Sequence, residues 1–397
     1  MASRIVVLGA GPIGVEAALL AAQRGHDVQI FERGQVGEHV ARWSHVTLFS
    51  PWRLNRSPWG AALLAASGQP LDPDDASPTG ADYLRRYLIP LSHHALLEGR
   101  IHTQTEVVGV ARAASLKGER IGKRDAGAGE LLVMVRDAAG AERLVHADLV
   151  IDATGTYSQP LHLGPGGLPA LGERAHEDRI TRYVPDLGAP ELAHLKSERV
   201  LLIGGGHSAV TTLKALHEVQ PAHGASTAWV LRADDHPYDI IEGDPLPQRV
   251  ALARFGNAAA AGDYAPHIRP ITRSHLLSIE DGDDGALRVT LVDHAGAHVV
   301  VEVDHIISNV GYRPDLSLTR ELQIHHCYAS EGPMKLAASL LSAGGGGDCL
   351  AQVSGGVDTL RSPERDVFVL GAKSYGRSSS FLLKVGFEQI AQVFEAL

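Results

Sequence analysis

With 397 residues the chain is long enough for two domains, each with its own core. Hydrophobic residues at 44% and charged residues at 21% are ordinary for a soluble globular protein, and no run approaches the ~20 apolar residues of a membrane helix. The formal charge of −10 argues against nucleic acid or an anionic membrane as partner, and only two cysteines, Cys327 and Cys349, fit a reducing cytoplasm better than a disulfide scaffold.

Residues 4–32 read as a βαβ opening that enters its first strand by Arg4, which leaves no room for a signal peptide. The strand Arg4–Leu8 leads into the turn Gly9-Ala10-Gly11-Pro12-Ile13-Gly14. A helix over Val15–Arg24 follows, ended by Gly25, and then a strand over Val28–Phe31 closed by Glu32 and Arg33. Glycines in this context let the backbone approach a pyrophosphate at a helix N-terminus. Glu32 lies 23 residues after Gly9, close to the spacing of a carboxylate that accepts hydrogen bonds from ribose hydroxyls.

Residues 34–60 read as irregular and carry Trp43, Trp52 and Trp59. Asp82–Leu97 reads as an amphipathic helix with Tyr83, Leu84, Tyr87 and Leu88 on its apolar side. Strand-like Arg100–Val110 and Leu131–Arg136 flank a turn at Asp125–Gly129, and Leu149–Asp152 forms a buried strand ending in a tight turn at Thr154-Gly155. The Pro- and Gly-rich stretch 160–190 reads as an inter-domain connection.

A second strand–turn–helix begins at Arg199. Its turn is Gly204-Gly205-Gly206-His207-Ser208-Ala209, its helix Ser208–Val219, and its next strand Thr227–Leu231, which ends at Arg232. Strands at Leu287–Val292 and Val299–Val303 lead into Asn309-Val310-Gly311-Tyr312-Arg313-Pro314-Asp315. After a glycine-rich loop at Gly344–Gly347, a strand at Val367–Leu370 meets Gly371-Ala372-Lys373, and a closing helix runs from about Ser379 to Phe394. Ser378–Ser380 are candidates to cap that helix, and Gly386 inside it would permit a close backbone approach. The 21 histidines are scattered and no Cys-x-x-Cys spacing occurs, so no metal site is expected, His325-His326-Cys327 included.

The ordered landmarks Gly9–Gly14, Glu32, Asp152–Gly155, Gly204–Ala209 and Val367–Gly376 make the chain resemble the two-dinucleotide-binding-domain flavoproteins. That group includes thioredoxin-reductase-like enzymes and flavin-containing or Baeyer–Villiger-type monooxygenases. The resemblance implies an α/β fold of two Rossmann-like, three-layer nucleotide-binding domains, with an NAD(P)H domain (166–304) inserted into an FAD domain (1–165 and 305–397). It implies an FAD site at Gly9, Gly11, Pro12, Ile13, Gly14, Glu32, Arg33, Thr154, Gly155, Gly371 and Ala372. It implies a second site at Gly204, Gly206, His207, Ser208, Ala209 and Arg232. A guanidinium at position 232 suits a 2′-phosphate, so NADPH is expected over NADH, although Asp234 and Asp235 follow closely.

Relatives often carry Gly-Asp where this chain has Gly371-Ala372. Lys373 and Arg377 are therefore expected to tune the flavin by stabilising its reduced anion, with help from the dipole of the following helix. Trp52 and Arg53 are expected to wall the flavin or hold substrate. The function implied is oxidation of NADPH by FAD, with a small-molecule substrate, no nucleic-acid or membrane partner, a cytoplasmic location, and a homodimer left open.

No cysteine precedes Cys327, which disfavours the usual dithiol chemistry of the group. A monooxygenase working through a C4a-oxygen adduct on a nitrogen, sulfur, metalloid or carbonyl centre is therefore expected. A non-oxygenating flavin reductase or oxidase, a dithiol enzyme using Cys327 and Cys349, and a non-catalytic flavin sensor or carrier remain as alternatives.

Overall fold

Strand β1 (Arg4–Leu8) sends Ile5 and Val7 to one side and Val6 and Leu8 to the other, and all four are buried. Ile5 and Val7 join a core built with helices; Val6 and Leu8 join one built with antiparallel strands. A strand buried on both faces reads as a continuous apolar run, and its sheet must be the middle of three layers. The computed structural model describes residues 2–71, 73–124, 129–234, 236–342 and 354–397.

The chain forms two compact units, residues 1–159 with 312–397, and residues 160–311. Among the described residues of the first unit, β1 is the centre of a five-stranded parallel sheet. Its neighbours are β2 (Asp27–Phe31), continuing to β3 (Ile101–His102), and β7 (Leu149–Asp152), continuing to β16 (Val367–Val369). An antiparallel meander of β4 (Thr105–Arg112), β5 (Leu131–Asp137) and β6 (Glu142–Ala147) supplies one outer layer. Helices α1 (Pro12–Gln23) and α5 (Leu383–Glu395) supply the other. They meet closely at Gly386, where an added Cβ would lie 2.4 Å from Ile13 Cδ1.

The second unit repeats this plan. Its described residues form a parallel sheet in the order β11 (Ile268–Ile271), β10 (Thr227–Val230), β9 (Val200–Ile203), β15 (His305–Ser308), β8 (Ile180–Thr181). The meander β12 (Ser274–Asp281), β13 (Leu287–Asp293), β14 (His298–Val303) covers one face with Leu276, Val289 and Leu291. On the other, Val210, Leu213 and Leu216 of α3 (His207–Val219) pack with Ala259 of α4 (Pro247–Ala261).

The structure revises several expectations from the sequence. The stretch 160–190 is part of the second unit: Leu163 and Ala170 enter its core, and β8 pairs with β15. Glu173, fully buried, holds that stretch by accepting from the Leu163 and Ala170 amides and from Arg182. The units divide at 159/160 and 311/312, where the sequence reading put the joins at 165/166 and 304/305. The helix expected over Asp82–Leu97 starts earlier and is shorter, running through Gly80–Tyr83, a π turn at Leu84–Leu88 and Ile89–Ser92. Thr79 caps it in a box with Asp82. The closing helix begins at Leu383 with no side-chain cap, and Ser378 bonds Ser380 instead.

The segment 34–60 is tied to α1 by a buried polar cluster. Ser57 caps α2 (Pro58–Ala66) by accepting from the Gly60 amide, and its hydroxyl donates to Glu16 Oε2 at 2.7 Å. Tyr87 donates to the other Glu16 oxygen while accepting from the Ser57 amide at 2.7 Å. Burial of the carboxyl, opposed by these hydrogen bonds, pushes the Glu16 pKa up to about 7. A pKa raised in the fold means that folding favours the protonated form. Stability is then greatest below the unfolded value near 4.5, falls as pH rises toward about 7, and levels off above it. Glu16→Gln keeps most of the shape without the charge. Its stability relative to wild type should rise between pH 5 and pH 8 by about 2–3 kcal/mol. Equal urea midpoint differences at the two pH values would contradict a protonated Glu16.

Candidate functional site

Each parallel sheet delivers a glycine turn to the N-terminus of its first helix. In the first unit Gly9 takes φ +92°, and a Cβ there would crowd Ala153 O and Thr154 Cα at 3.1 Å. Gly14 is needed for contact between the helix and the turn, since an added Cβ would sit 1.9 Å from Gly9 O. Gly11 is different: a Cβ would meet nothing within 4 Å, so the space beside it is open. Gly11 is also the N-cap of α1 and offers no capping side chain, with Pro12 in the first turn and Ile13 buried behind it. A helix start with this geometry is suited to an anion.

Glu32 organises the rim of this turn. Its Oε2 accepts from the Ala10 amide and its Oε1 from the Gly34 amide, both at 2.8 Å. A carboxylate has about four lone-pair sites, so two remain for hydroxyl donors. Arg33 beside it is exposed.

The ends of β7 and β16 complete the floor. Asp152 is fully buried; its Oδ1 accepts from the Thr154 amide and hydroxyl, and its Oδ2 from Lys373 Nζ at 2.6 Å. Lys373, 1% exposed, also reaches Thr154 Oγ1 at 2.9 Å. Gly371, at φ +72°, lies against Ile13, and its amide donates to Gln389 Oε1 at 2.9 Å. Ala372 is half-buried beside it, and Gly155, at φ +69°, has open space where a Cβ would be.

The residues expected to act on the flavin have other partners. Lys373 is paired with Asp152, and Arg377 donates to Glu331 Oε2 at 2.9 Å, so both cations already face carboxylates. Helix α5 begins at Leu383, ten residues after Lys373 and six after Arg377, so neither cation stands at its first turn as expected. Trp52 is a core residue, 1% exposed and stacked on Tyr83 at 6.0 Å between ring centres, so it does not form an open wall. Arg53 points to solvent and pairs with Asp75.

In the second unit Gly206 is the N-cap of α3, again without a capping side chain, and His207 and Ser208 begin the helix. Gly204 takes φ +143°, where a Cβ would lie 2.3 Å from Asn309 O and 3.3 Å from the Ala209 Cβ. A small residue at 209 is therefore required, and it is fully buried. Trp229 Nε1 donates to Gly204 O and Thr212 to Asn309, which fixes the turn from both neighbouring strands.

Arg232 is exposed just past the end of β10. Parallel pairing of Val230 with Ile271 brings a second cation beside it, Arg273, whose amide donates to Ala233 O at 2.9 Å. The sequence reading missed Arg273, because only the sheet register places it there. Its guanidinium lies 3.7 Å from Asp234, and Asp235 is outside the described residues.

Of the two cysteines, Cys327 is buried and free, and Cys349 with the loop Gly344–Gly347 lies outside the described residues. Cys327 opens a tight turn in which its amide donates to Gly332 O. That turn packs on the closing segment of the first unit, since a Cβ on Gly332 would lie 2.8 Å from Ser374 O.

The model of the pyridine nucleotide-disulphide oxidoreductase family matches residues 6–121, the stretch that carries the first glycine turn and Glu32. A bacillithiol disulfide reductase from Bacillus cereus is similar in structure over 100% of this chain and 99% of its own, with a TM-score of 0.69 and 18% identity. An ornithine N-hydroxylase from Kutzneria sp. 744 covers 100% and 99% with a TM-score of 0.62 and 18% identity. A thioredoxin reductase from T. acidophilum covers 99% and 98% with a TM-score of 0.62 and 16% identity. The chain has the fold of the two-dinucleotide-binding-domain oxidoreductases. A search of curated proteins found no match. Among the described residues, no helix is long and apolar enough to cross a membrane.

Proposed function

We propose that this chain is an FAD-dependent oxidoreductase that takes hydride from NADPH. The observation that carries the reading is the pair of uncapped, glycine-lined helix starts, one rimmed by Glu32 and the other by Arg232 and Arg273. Bound FAD would supply the redox chemistry, accepting hydride from the nicotinamide and passing electrons onward. Gly9, Gly11 and Gly14 would admit its pyrophosphate and Glu32 its ribose, while Thr154, Gly155, Gly371 and Ala372 border the same sheet edge. A bacillithiol disulfide reductase and an ornithine hydroxylase on this fold support an oxidoreductase without selecting the acceptor.

For the acceptor we favour molecular oxygen and a small nucleophile (nitrogen, sulfur or a metalloid) or a carbonyl. The support is the sequence: no cysteine precedes Cys327, so a vicinal dithiol in the first unit's opening is ruled out. The balance is NADPH, a proton, O2 and substrate giving NADP+, water and the singly oxygenated product. Cys327, in a turn packed on Gly371–Tyr375, favours a second reading as a disulfide reductase.

Absorbance at about 450 nm that bleaches anaerobically with NADPH tests the core reading. A colourless protein that takes up no FAD would overturn it. Oxygen uptake without matching hydrogen peroxide, in the presence of amine or thioether substrates, supports the oxygenase. NADPH-dependent reduction of a disulfide, lost in Cys327→Ser, would support the reductase instead.

The nucleotide preference has its own test. Charge-assisted contacts to a phosphate are each worth about 1.5–3 kcal/mol. The double variant R232A/R273A should raise the KM for NADPH at least ~10-fold and leave that for NADH nearly unchanged. Parallel steady-state titrations with the two nucleotides read this directly.

A further inference from the structure

The second sheet has two ends, and the nucleotide turn occupies only the one where its strands finish. At the other end, where β9 and β15 begin, three side chains from two separate stretches converge: His194 and Glu198 from one, His305 from the other. Each offers one ligand atom, and these atoms all lie within 4.8 Å of one another. We propose that they form a binding site for a divalent transition-metal ion of the zinc type.

The donor set suits such an ion. Two imidazoles and one carboxylate make a three-ligand zinc site that leaves a fourth position for water. His194 lies in the short helical segment Pro190–Lys196, and Glu198 follows it at the i+4 position, with His194 Nε2 3.9 Å from Glu198 Oε2. His305 opens β15, and its ring meets that of His194 edge-on at 5.4 Å between centres. Ligand atoms around zinc lie roughly 3.3 Å apart. The half-exposed His194 and Glu198 side chains can close the remaining gap by small rotations about a fixed His305.

Three further observations single out this cluster. Glu198 Oε2 is shielded from solvent yet has no hydrogen-bond partner, although a buried carboxylate oxygen is costly without one. A cation among these three groups would satisfy it. His305 is buried and its ring is oriented by the Thr181 hydroxyl, 2.9 Å from Nε2, an arrangement typical of the groups that hold a metal-binding histidine in place. Burial also lowers the His305 pKa to about 4, with the neighbouring His194 and Arg179 acting in the same direction and Asp178 opposing, so the ring is neutral and able to ligate. The Arg179 guanidinium, which also acts on His305, is engaged with Asp304 O at 3.0 Å.

Spacing searches miss the site because only His194 and Glu198 are close in sequence. His305 arrives through parallel pairing of β15 with β9, in register from His305 and Val200. A bound ion would tie the 190–198 segment to the start of two core strands. Its effect would thus be on the second unit itself, apart from the nucleotide turn.

The test uses the full-length protein stripped of metal and titrated with Zn2+ alone, followed by calorimetry and by elemental analysis after desalting. One ion per chain should bind, and a saturating amount should raise the melting temperature by about 5 °C. His194→Ala and Glu198→Gln, both at partly exposed positions where folding is not at risk, should each weaken binding at least ~10-fold and abolish the shift. His305→Ala should do the same, and its circular dichroism shows whether the fold survives. Wild-type protein that takes up no Zn2+ at about 100 μM would overturn the proposal. Unchanged affinity in both His194→Ala and Glu198→Gln would overturn it too, by assigning the binding to other histidines. None of these readouts depends on flavin or on turnover, so the site and the proposed oxidoreductase activity stand or fall separately.

Discussion

Lys373→Met should destabilise the first unit by about 3–5 kcal/mol, because it strands the Asp152 carboxylate in the core. Both partners are essentially inaccessible, at 1% and 0% side-chain exposure, and the lysine ammonium is 2.6 Å from Asp152 Oδ2. Thr154 provides two further donors to Oδ1 but leaves Oδ2 dependent on Lys373. The double variant D152N/K373M should recover much of the loss, since a neutral amide tolerates burial far better than an unpaired charge. Denaturant unfolding of the four proteins measures the coupling. A single Lys373→Met variant within 1 kcal/mol of wild type would show that water or a proton compensates Asp152 and that the pair is not structural.

The same variant separates two roles for the lysine. If Lys373 also stabilises a reduced flavin anion, Lys373→Met protein that retains flavin should have a lower flavin potential and slower reduction by NADPH. A structural pair alone predicts lost stability with an unchanged potential. The geometry favours the latter, because the ammonium already faces a carboxylate at hydrogen-bond distance and its net field at a distance is small.

What could be read from the sequence was what is contiguous in it. Gly9–Gly14 and Gly204–Ala209 contain within six residues both the tight turn and the helix start, so the motif and the fold coincide. Glu32 was legible because a βαβ unit fixes the distance from the first turn to the end of the second strand. Lys373 was misread because its partner is 221 residues away, and only the adjacency of β16 and β7 brings them together. Trp52, preceded by Pro51, resembled a loop aromatic; its burial depends on Tyr83 and Tyr87, which the later helix turns toward it. Helix α4 went unread for a different reason. Its sequence has no clear apolar stripe, and Gly256 serves there to accept the ring of Tyr238, which a Cβ would meet at 2.4 Å. Arg273 and His305 share one lesson: parallel register joins residues that no local pattern links.

Glu32→Ala should raise the FAD dissociation constant by ~100-fold or more while leaving the second nucleotide site intact. In the protein alone the carboxylate already holds the Ala10 and Gly34 amides at 2.8 Å, one on each side of the glycine turn. Truncation removes that brace and also the remaining lone pairs that ribose hydroxyls would use. Hydrogen bonds to a charged group contribute about 1.5–3 kcal/mol each, so losing two toward the ligand accounts for the expected factor. Glu32→Gln is the informative companion. One amide oxygen can still accept, but the NH2 group now faces a backbone N–H, so binding should fall between wild type and Glu32→Ala. The flavin-to-protein ratio after gel filtration, with NADPH binding measured on the same samples, distinguishes a local loss from unfolding. Retention of flavin by Glu32→Ala at the wild-type ratio would mean that the ribose is held elsewhere. The role of the first glycine turn would then rest on its backbone and helix dipole alone.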